Sequence, residues 1–353
     1  MKLSRPLDNR VGQIYEPFKT RFLTRTITEL AEDEVLVHIR ASAICGSDLH
    51  IARGRHPSAP IPCTIGHEFS GDVIAVGEGV STVFPGERVT VEPCIVCGKC
   101  AACRRGEYSY CEHISFTYRN GDGAMADYIA VKAPYVYELP DYLTYETGAL
   151  TEPLSVATHA VRRADIRLGE SVLIIGAGAI GMLVAAMCRQ SGAKQIVIAD
   201  VSDARLETAL QLGATHAVNS EKCDLEAEIS RLTDGRGVDK SFECVGLESC
   251  FHQAVNTLRR GGTATVVGIY ENQDLHFAPA RLVTHEIRIQ GAQGYCWDFP
   301  IAIAAAKDIP LDKLITHRFP LADLQAALDT ALDRLSGSIK VVLTSGPEAG
   351  ELS

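Results

Sequence analysis

The chain has 353 residues, of which 46% are hydrophobic and 22% are charged, a composition that excludes a largely disordered protein and a length that suits two domains. Its 34 basic and 44 acidic residues give a formal net charge of -10, which argues against nucleic acid as a partner because such surfaces are basic. The sequence shows neither a signal-peptide pattern nor an apolar stretch near the roughly 20 residues of a membrane span, so we expect a cytoplasmic protein without a membrane partner.

The first part of the chain, up to about Ala149, contains many short β-branched segments separated by Gly and Pro. Val35–Ile39 and Gly71–Val76 are typical of them, and punctuated segments of this kind favour strands. The pattern predicts an all-β, barrel-like domain.

Three short motifs in the chain up to Leu154 carry candidate metal ligands. They are Cys45-Gly46-Ser47-Asp48-Leu49-His50, Gly66-His67-Glu68 and Thr151-Glu152-Pro153-Leu154. Thiolate, imidazole and carboxylate are the donors that zinc takes in proteins. Spacing alone does not bring the motifs together, and a lone Cys or His is more often a core residue than a ligand.

A second set of candidate ligands is local. Cys97, Cys100, Cys103 and Cys111 crowd one short segment, and four thiolates suit a closed, tetrahedral zinc site with a structural role. An iron–sulfur cluster fits this spacing poorly. Cys94, nearby, is interpreted as a spare thiol.

Beyond Ser155, apolar strands alternate with helical segments, a pattern that predicts a parallel sheet. The predicted strands are Ser171–Ile175, Gln195–Ala199, Lys240–Cys244 and Thr263–Val267, and the predicted helices are Ala179–Gly192 and Arg205–Gly213, the last residue being the C-cap. After about Gly294 the pattern changes to helices at Phe299–Lys307 and Leu321–Leu335 and a strand at Lys340–Leu343. We therefore expect a first domain at residues 1–154, which includes a zinc lobe at about 94–113. A second domain is expected at residues 155–294, and residues 295–353 are expected to return to the first domain.

A glycine-rich turn follows the first of these strands. It reads Gly176-Ala177-Gly178-Ala179-Ile180-Gly181. Gly176 permits the tight turn, Gly178 lets a pyrophosphate approach the backbone, and Gly181 lets the helix pack closely on the strand. The turn opens a helix whose N-terminus favours an anion, so we predict a dinucleotide site.

Asp200 ends the next strand of the predicted sheet. Its carboxylate can accept hydrogen bonds from both ribose hydroxyls and would repel a 2′-phosphate, which favours NAD over NADP. Arg205, a few residues later, is a basic group that could accept that phosphate, so tolerance of NADP stays open.

Taken together and in this order, these motifs resemble those of the zinc-containing medium-chain alcohol and polyol dehydrogenases, over nearly the full chain. The segments Gly294–Ile303 and Thr316–Leu321 are similar to those of the sorbitol and butanediol dehydrogenase branches. The resemblance implies a GroES-like β-barrel catalytic domain and a Rossmann cofactor domain with a doubly wound parallel sheet. It also implies zinc and NAD as cofactors, a homo-oligomer (a dimer or tetramer), and nucleotide contacts at the strand end Val267-Gly268-Ile269.

The resemblance further implies that Cys45, His67 and Glu68 hold a catalytic zinc, with Glu152 nearby as a ligand or through water. By the same resemblance, the Ser47 hydroxyl contacts the reacting oxygen and starts a proton relay. His50 is its expected outer end, since histidine exchanges protons near neutral pH. Asp48 is expected to orient His67.

The substrate pocket departs from the sorbitol dehydrogenase pattern. Ile51 and Gly294 stand where those enzymes have a tyrosine and an arginine, which puts sorbitol itself in doubt. Candidate pocket walls are Tyr118, Tyr295 and Trp297, and candidate partners for a substrate carboxylate or phosphate are Arg53, Arg55 and Arg119.

These features predict an enzyme that transfers hydride from a secondary alcohol of a polyol, sugar alcohol or sugar acid to NAD. A vicinal-diol dehydrogenase and a threonine-type dehydrogenase are the alternatives. Threonine dehydrogenases usually have Asp-Pro where this chain has Glu152-Pro153. A zinc-free reductase or a non-enzymatic relative would have no need of the full ligand set.

Overall fold

The computed structural model describes residues 1–56, 59, 61–117, 123–271 and 274–345. Two of the candidate pocket residues, Tyr118 and Arg119, lie outside these ranges. The chain forms two compact units: one contains Met1–Glu152 and the chain from Leu314 onward, and the other contains Pro153–Lys313.

The described residues form eighteen strands. They are β1 Lys2–Glu16, β2 Lys19–Glu29, β3 Glu34–Ala43, β4 Cys63–Thr64, β5 Glu68–Val76, β6 Arg88–Val91, β7 Cys94–Ile95, β8 Ser115–Phe116, β9 Tyr128–Lys132, β10 Val136–Glu138, β11 Ser171–Ile175, β12 Gln195–Asp200, β13 His216–Asn219, β14 Val238–Glu243, β15 Leu258–Val266, β16 Arg288–Gly291, β17 Ile315–Pro320 and β18 Lys340–Thr344.

Eleven α-helices are present in the same residues, together with short 3₁₀ turns. The α-helices are α1 Gly46–Ala52, α2 Ala101–Arg104, α3 Tyr145–Ala149, α4 Thr151–Ala164, α5 Ala179–Gln190, α6 Asp203–Gln211, α7 Leu225–Leu232, α8 Glu248–Asn256, α9 Ala280–His285, α10 Phe299–Ala305 and α11 Leu324–Leu332.

The first unit is built mainly from antiparallel strands. Its largest sheet has the order β10-β6-β5-β3-β18-β17, with β9 also paired to β3, and smaller sheets are β2-β1-β4 and β7-β8. Strand β3 lies inside this sheet, and most of its side chains are buried. Ala43, at its end, pairs with Glu68 of β5 on one side and with Val342 of β18 on the other. This pairing brings segments from both ends of the chain to one point.

The second unit contains a six-stranded parallel sheet in the order β13-β12-β11-β14-β15-β16, the Rossmann order. The apolar run of β11, Val172–Ile175, is buried throughout, as expected for a strand covered on both faces. The prediction of a doubly wound parallel sheet is therefore confirmed.

Several element boundaries differ from the sequence-based expectations, among them those of α6 and α11. The C-cap of α6 is Leu212, and Gly213 follows it with φ of 112°, the left-handed conformation that glycine takes at the residue after a cap. The helix predicted at Leu321–Leu335 begins as a 3₁₀ turn at Leu321–Asp323 and ends at Leu332.

Residues 295–313, expected with the first domain, stay with the second unit. The reason is a buried contact: Asp298 accepts hydrogen bonds from His159 Nδ1 at 2.8 Å and Arg162 Nη1 at 2.5 Å, both on α4. The return to the first unit therefore begins at Leu314, just before β17.

Among the described residues, no helix has both the length and the apolar character needed to cross a membrane.

Candidate active site

Three side chains from two separate segments of the sequence meet in the first unit. Cys45 precedes α1, His67 precedes β5, and Glu68 is the first residue of β5. Their candidate ligand atoms all lie within 4.8 Å of one another. His67 and Glu68 are buried and Cys45 is partly exposed.

Asp48 joins the segments that carry these donors. Its Oδ2 accepts the Cys45 backbone N–H at 2.9 Å, and its Oδ1 accepts the Gly66 N–H at 3.2 Å and lies 3.8 Å from His67 Nδ1. The carboxylate is fully buried. It therefore fixes the backbone at Cys45 and Gly66 and lies beside the His67 imidazole.

The predicted proton-relay residues lie on the same short helix. Ser47 Oγ lies 3.4 Å from His67 Nε2, beside the ligand atoms. His50 is about one turn further along α1 and is half-buried.

Glu152, at the start of α4, is only 5% exposed. Among the described residues, the set of mutually close donors is Cys45, His67 and Glu68, without the Glu152 carboxylate. Burial lowers the pKa of His67, but the negative charges of Cys45, Asp48 and Glu152 outweigh it and raise that pKa well above its ordinary value. A buried pocket with this excess of acidic groups favours a cation, and one thiolate, one imidazole and one carboxylate are a donor set for catalytic zinc.

Lys340 is one of the residues that sequence reasoning missed. It opens β18, is only 4% exposed, and its Nζ contacts both carboxylate oxygens of Glu68, with 2.5 Å to Oε2. Burial lowers the pKa of Lys340, while Glu68, Cys45 and Glu152 raise it, with a net rise. The signal in the sequence is weak, because a lysine flanking a strand is ordinary.

The four-cysteine lobe is compact and more exposed. All four sulfurs of Cys97, Cys100, Cys103 and Cys111 lie within 4.8 Å of one another, and the measured pairs are 3.6 Å for Cys111 to Cys97 and 4.0 Å for Cys97 to Cys103. Sulfurs at about 2.3 Å from a tetrahedral zinc are separated by about 3.8 Å. The lobe therefore has the dimensions of a closed zinc site.

Backbone groups prepare the lobe for an ion. The N–H groups of Cys103 and Glu112 stabilise the Cys100 thiolate and lower its pKa to about 6. Cys97 Sγ accepts the Cys100 N–H at 3.3 Å, and Cys111 Sγ accepts the Cys97 N–H at 3.4 Å. Cys94 is buried on β7 and is not one of the four mutually close thiols.

The glycine-rich turn of the second unit has the geometry of a phosphate-binding loop. Gly176 has φ of 101°, and a Cβ on Gly181 would lie 1.8 Å from the Gly176 oxygen, so the helix and strand approach closely. A Cβ on Gly178, the N-cap of α5, would meet no atom within 4 Å. Open space in front of a helix N-terminus is where a pyrophosphate binds. Ile180, on the first turn of α5, is half-buried.

Asp200 closes this turn. Its Oδ2 accepts the Ala177 N–H at 2.7 Å, and its Oδ1 accepts the N–H groups of Val201 and Ser202 at 2.8 and 3.0 Å. Arg205 is half-buried on the first turn of α6. The carboxylate is thus held at the end of β12, beside the glycine-rich turn.

The strand end at residues 267–269 is shaped by a further residue that the sequence did not reveal. The carbonyl of the buried Glu243 accepts the Val267 N–H at 2.8 Å, and its Oε1 accepts the N–H groups of Val245 and Gly246 at 2.8 Å. Ile269 is 53% exposed. Glu243 thereby orders two neighbouring loops at the carboxyl edge of the sheet.

The remaining pocket candidates divide into buried and exposed residues. Ile51 is fully buried in the core of the first unit, and Tyr295 is buried edge-on against Phe299. Trp297 is 59% exposed and has φ of 62°, and Gly294 also has a positive φ. Packing explains the first two side chains; the exposed Trp297 is the better candidate for a ligand contact.

Arg53 follows α1 as its C-cap and is half-buried, whereas Arg55, two residues later, is exposed. Both therefore lie near the end of the helix that begins at Cys45, and their contact with a substrate anion stays a prediction.

Comparison with known proteins agrees with both units. Residues 31–141 match the alcohol dehydrogenase GroES-like domain, and residues 179–308 match the zinc-binding dehydrogenase family. The sorbitol dehydrogenase of Bacillus subtilis (strain 168) is 33% identical, over 96% of this chain and 98% of that protein. The L-arabinitol 4-dehydrogenase of Talaromyces emersonii is 37% identical, over 91% of this chain and 87% of that protein.

The solved structures include close matches to the fold. The crystal structure of 2R,3R-butanediol dehydrogenase from Bacillus subtilis superposes with a TM-score of 0.87 at 30% identity, covering 96% of this chain and 100% of that one. The predicted GroES-like and Rossmann combination is confirmed, as are zinc and a nicotinamide cofactor. The chain belongs to the zinc-containing medium-chain dehydrogenases, in the branch of the sorbitol and arabinitol dehydrogenases.

Proposed function

We propose that the enzyme oxidises a secondary alcohol of a polyol, sugar alcohol or sugar acid and transfers the hydride to NAD. The observation that carries the proposal is the cluster of Cys45, His67 and Glu68, three donors within 4.8 Å of one another. The sorbitol and arabinitol dehydrogenases among its relatives support the substrate class.

In this proposal Cys45, His67 and Glu68 hold the catalytic zinc, with Glu152 as a further ligand, directly or through water. Zinc, when bound, supplies Lewis-acid stabilisation of negative charge on the substrate oxygen. Asp48 holds the imidazole of His67 in one orientation, which leaves Nε2 for the metal.

Ser47 and His50 provide the route for the proton. The Ser47 hydroxyl, 3.4 Å from His67 Nε2, is placed to accept the substrate's hydroxyl proton as negative charge develops on its oxygen. As Ser47 accepts that proton it releases its own hydroxyl proton towards His50, which passes it to water.

The second unit supplies the cofactor site. NAD, when bound, accepts the hydride at its nicotinamide ring. The α5 N-terminus at Gly178 receives the pyrophosphate, and Asp200 accepts the ribose hydroxyls. Val267 and Ile269 present backbone groups at the next strand end. We assign a preference for NAD because the Asp200 carboxylate disfavours a 2′-phosphate. Arg205 is the residue that would tolerate one.

A vicinal diol is the second candidate substrate. The likeness to butanediol dehydrogenase favours it, and a diol offers the same secondary alcohol with a neighbouring hydroxyl. Discrimination between the two rests on pocket shape.

We also propose a cytoplasmic location and a homo-oligomeric assembly. All twelve cysteines are free of disulfides, which suits a reducing compartment. Light scattering on the purified protein measures the assembly directly.

The deciding experiment combines metal analysis with a substrate screen. We expect two zinc ions per chain, one for each donor cluster, and NADH formation with one class among polyols, vicinal diols, inositols, sugar acids and threonine. One zinc whose removal leaves turnover intact would overturn the catalytic assignment. Two zincs without turnover on any of these alcohols would overturn the substrate class.

A further inference from the structure

The first unit contains a buried cation that contacts one of the candidate zinc ligands. Lys340 Nζ binds both oxygens of Glu68 and also donates to the Ile44 carbonyl at 3.4 Å. The Glu68 side chain is fully buried and that of Lys340 is 5% exposed. Both charges are buried, so each depends on the other for compensation.

The order of strands in the sheet brings Lys340 and Glu68 together. Strand β3 lies between β5, which begins with Glu68, and β18, which begins with Lys340. Ile44, the residue before Cys45, donates its N–H to Val341 at 2.9 Å and accepts from Lys340. The lysine is therefore tied both to a zinc ligand and to the backbone that leads into another.

Zinc and an ammonium group compete for the same carboxylate. A carboxylate has about four lone-pair positions on two oxygens, and Lys340 occupies both oxygens. Positive charge from the lysine weakens the attraction between Glu68 and a second cation.

We propose that Lys340 is a positioning residue that keeps Glu68 a weak, exchangeable ligand, so that the coordination position used by the substrate oxygen stays accessible. The inference rests on the proposed zinc centre, but it concerns the ion and its ligand, not the identity of the alcohol. It assigns to Lys340 a role that neither the motif nor its spacing indicates.

The test measures zinc release from the holoenzyme to a chromogenic chelator. The variant Lys340→Met removes the competing charge at similar length, and we expect catalytic zinc to leave about tenfold more slowly because Glu68 then binds only the ion. In a Glu68→Gln background the same substitution should leave the release rate unchanged. The four-cysteine lobe releases its own zinc in a separate phase and serves as the internal reference.

Two further variants control for general effects of burying a neutral side chain. Lys340→Arg keeps the charge and should restore the wild-type rate. Lys240→Met removes another buried lysine, 8% exposed, which donates to Ala164 in the second unit, and should change nothing. If Lys340→Met fails to fold, Lys340→Gln, which retains a hydrogen-bond donor, should give an intermediate slowing.

A cobalt-substituted enzyme gives an independent readout. The visible absorption bands of cobalt report its ligands, so Lys340→Met should shift them and Glu68→Gln should abolish that shift. The proposal is overturned if zinc release is unchanged or faster in Lys340→Met, or if the substitution has the same effect with and without Glu68. Failure to turn over any polyol would count against the proposed function and leave these measurements valid.

Discussion

The two candidate zinc centres lie in the same unit and are built in opposite ways. The lobe takes its four thiols from residues 97 to 111, a single local segment whose ligands are mostly half-exposed. The other centre takes Cys45, His67 and Glu68 from two separate segments and surrounds them with buried charges, Asp48 and Lys340 among them.

The difference follows from what each ion has to do. Four thiolates saturate zinc and leave no position for a substrate, so the lobe can only stabilise its own loop. Three mixed donors leave a position open, and the surrounding carboxylates and lysine then tune how firmly each ligand binds. The comparison predicts that damage to one centre removes activity and damage to the other removes stability.

The largest expected effect is on turnover. Cys45→Ser should lower kcat/KM by at least about 10³-fold, because several kcal/mol of charge stabilisation are lost with the metal. Steady-state NADH formation and zinc content measure both consequences. Cys63→Ser is the matched control, a buried cysteine in the same unit whose sulfur contacts the Thr64 carbonyl, and it should retain turnover. Equal losses of turnover in both variants would show that Cys45 has no special role in catalysis.

The corresponding experiment on the four-cysteine lobe removes one of its ligands. Cys103→Ser should release one zinc and lower Tm by about 10 °C or more, because a structural zinc contributes its binding energy to folding. Enzyme assayed at low temperature, before the lobe unfolds, should retain most of its initial turnover. Calorimetry and activity are compared on one preparation. Complete loss of turnover in folded protein would show that the lobe takes part in catalysis.

The same contrast explains how much the sequence reveals. The lobe and the glycine-rich turn are local patterns, so spacing alone predicts their chemistry. The apolar run of β11 and the helix after Gly178 are equally local, and both occur where the pattern placed them. Cys45, by contrast, was joined to His67 only through a family resemblance, because the pairing of β3 with β5 is a long-range event.

Two contacts were beyond sequence reasoning for the same reason. Lys340 and Glu68 are 272 positions apart, and no periodicity links the start of one strand to the start of another. Asp298 keeps residues 295–313 with the second unit through a buried contact with His159, although the change of pattern after Gly294 favoured a boundary there. Charges that are paired by tertiary structure leave no local signal.

A smaller loss of zinc affinity and turnover is expected for a change at Asp48, which contacts the segments that carry the ligands. Asp48→Asn should reduce catalytic-zinc affinity and kcat/KM by about 10- to 100-fold, because an amide has one acceptor oxygen where the carboxylate serves the Cys45 and Gly66 N–H groups with two. Chelator titration separates this site from the lobe, whose zinc should be unaffected. Asp33→Asn, an exposed carboxylate paired with Lys132, is the control. A uniform loss of both zincs would indicate general destabilisation of the unit.

The smallest effect concerns the fifth cysteine of the lobe region. Cys94→Ala should cost about 1 kcal/mol of folding free energy, as a small core truncation does, because Cys94 is 2% exposed on β7, which pairs with β8. Zinc content should stay at two per chain, since the four other thiols already complete a tetrahedral site. Denaturant unfolding measures the change in folding free energy, and metal analysis of the same sample measures the zinc content. Loss of one zinc would make Cys94 a ligand. The lobe would then have a fifth thiol that can exchange with the others, as Glu68 is proposed to exchange in the Cys45, His67 and Glu68 centre.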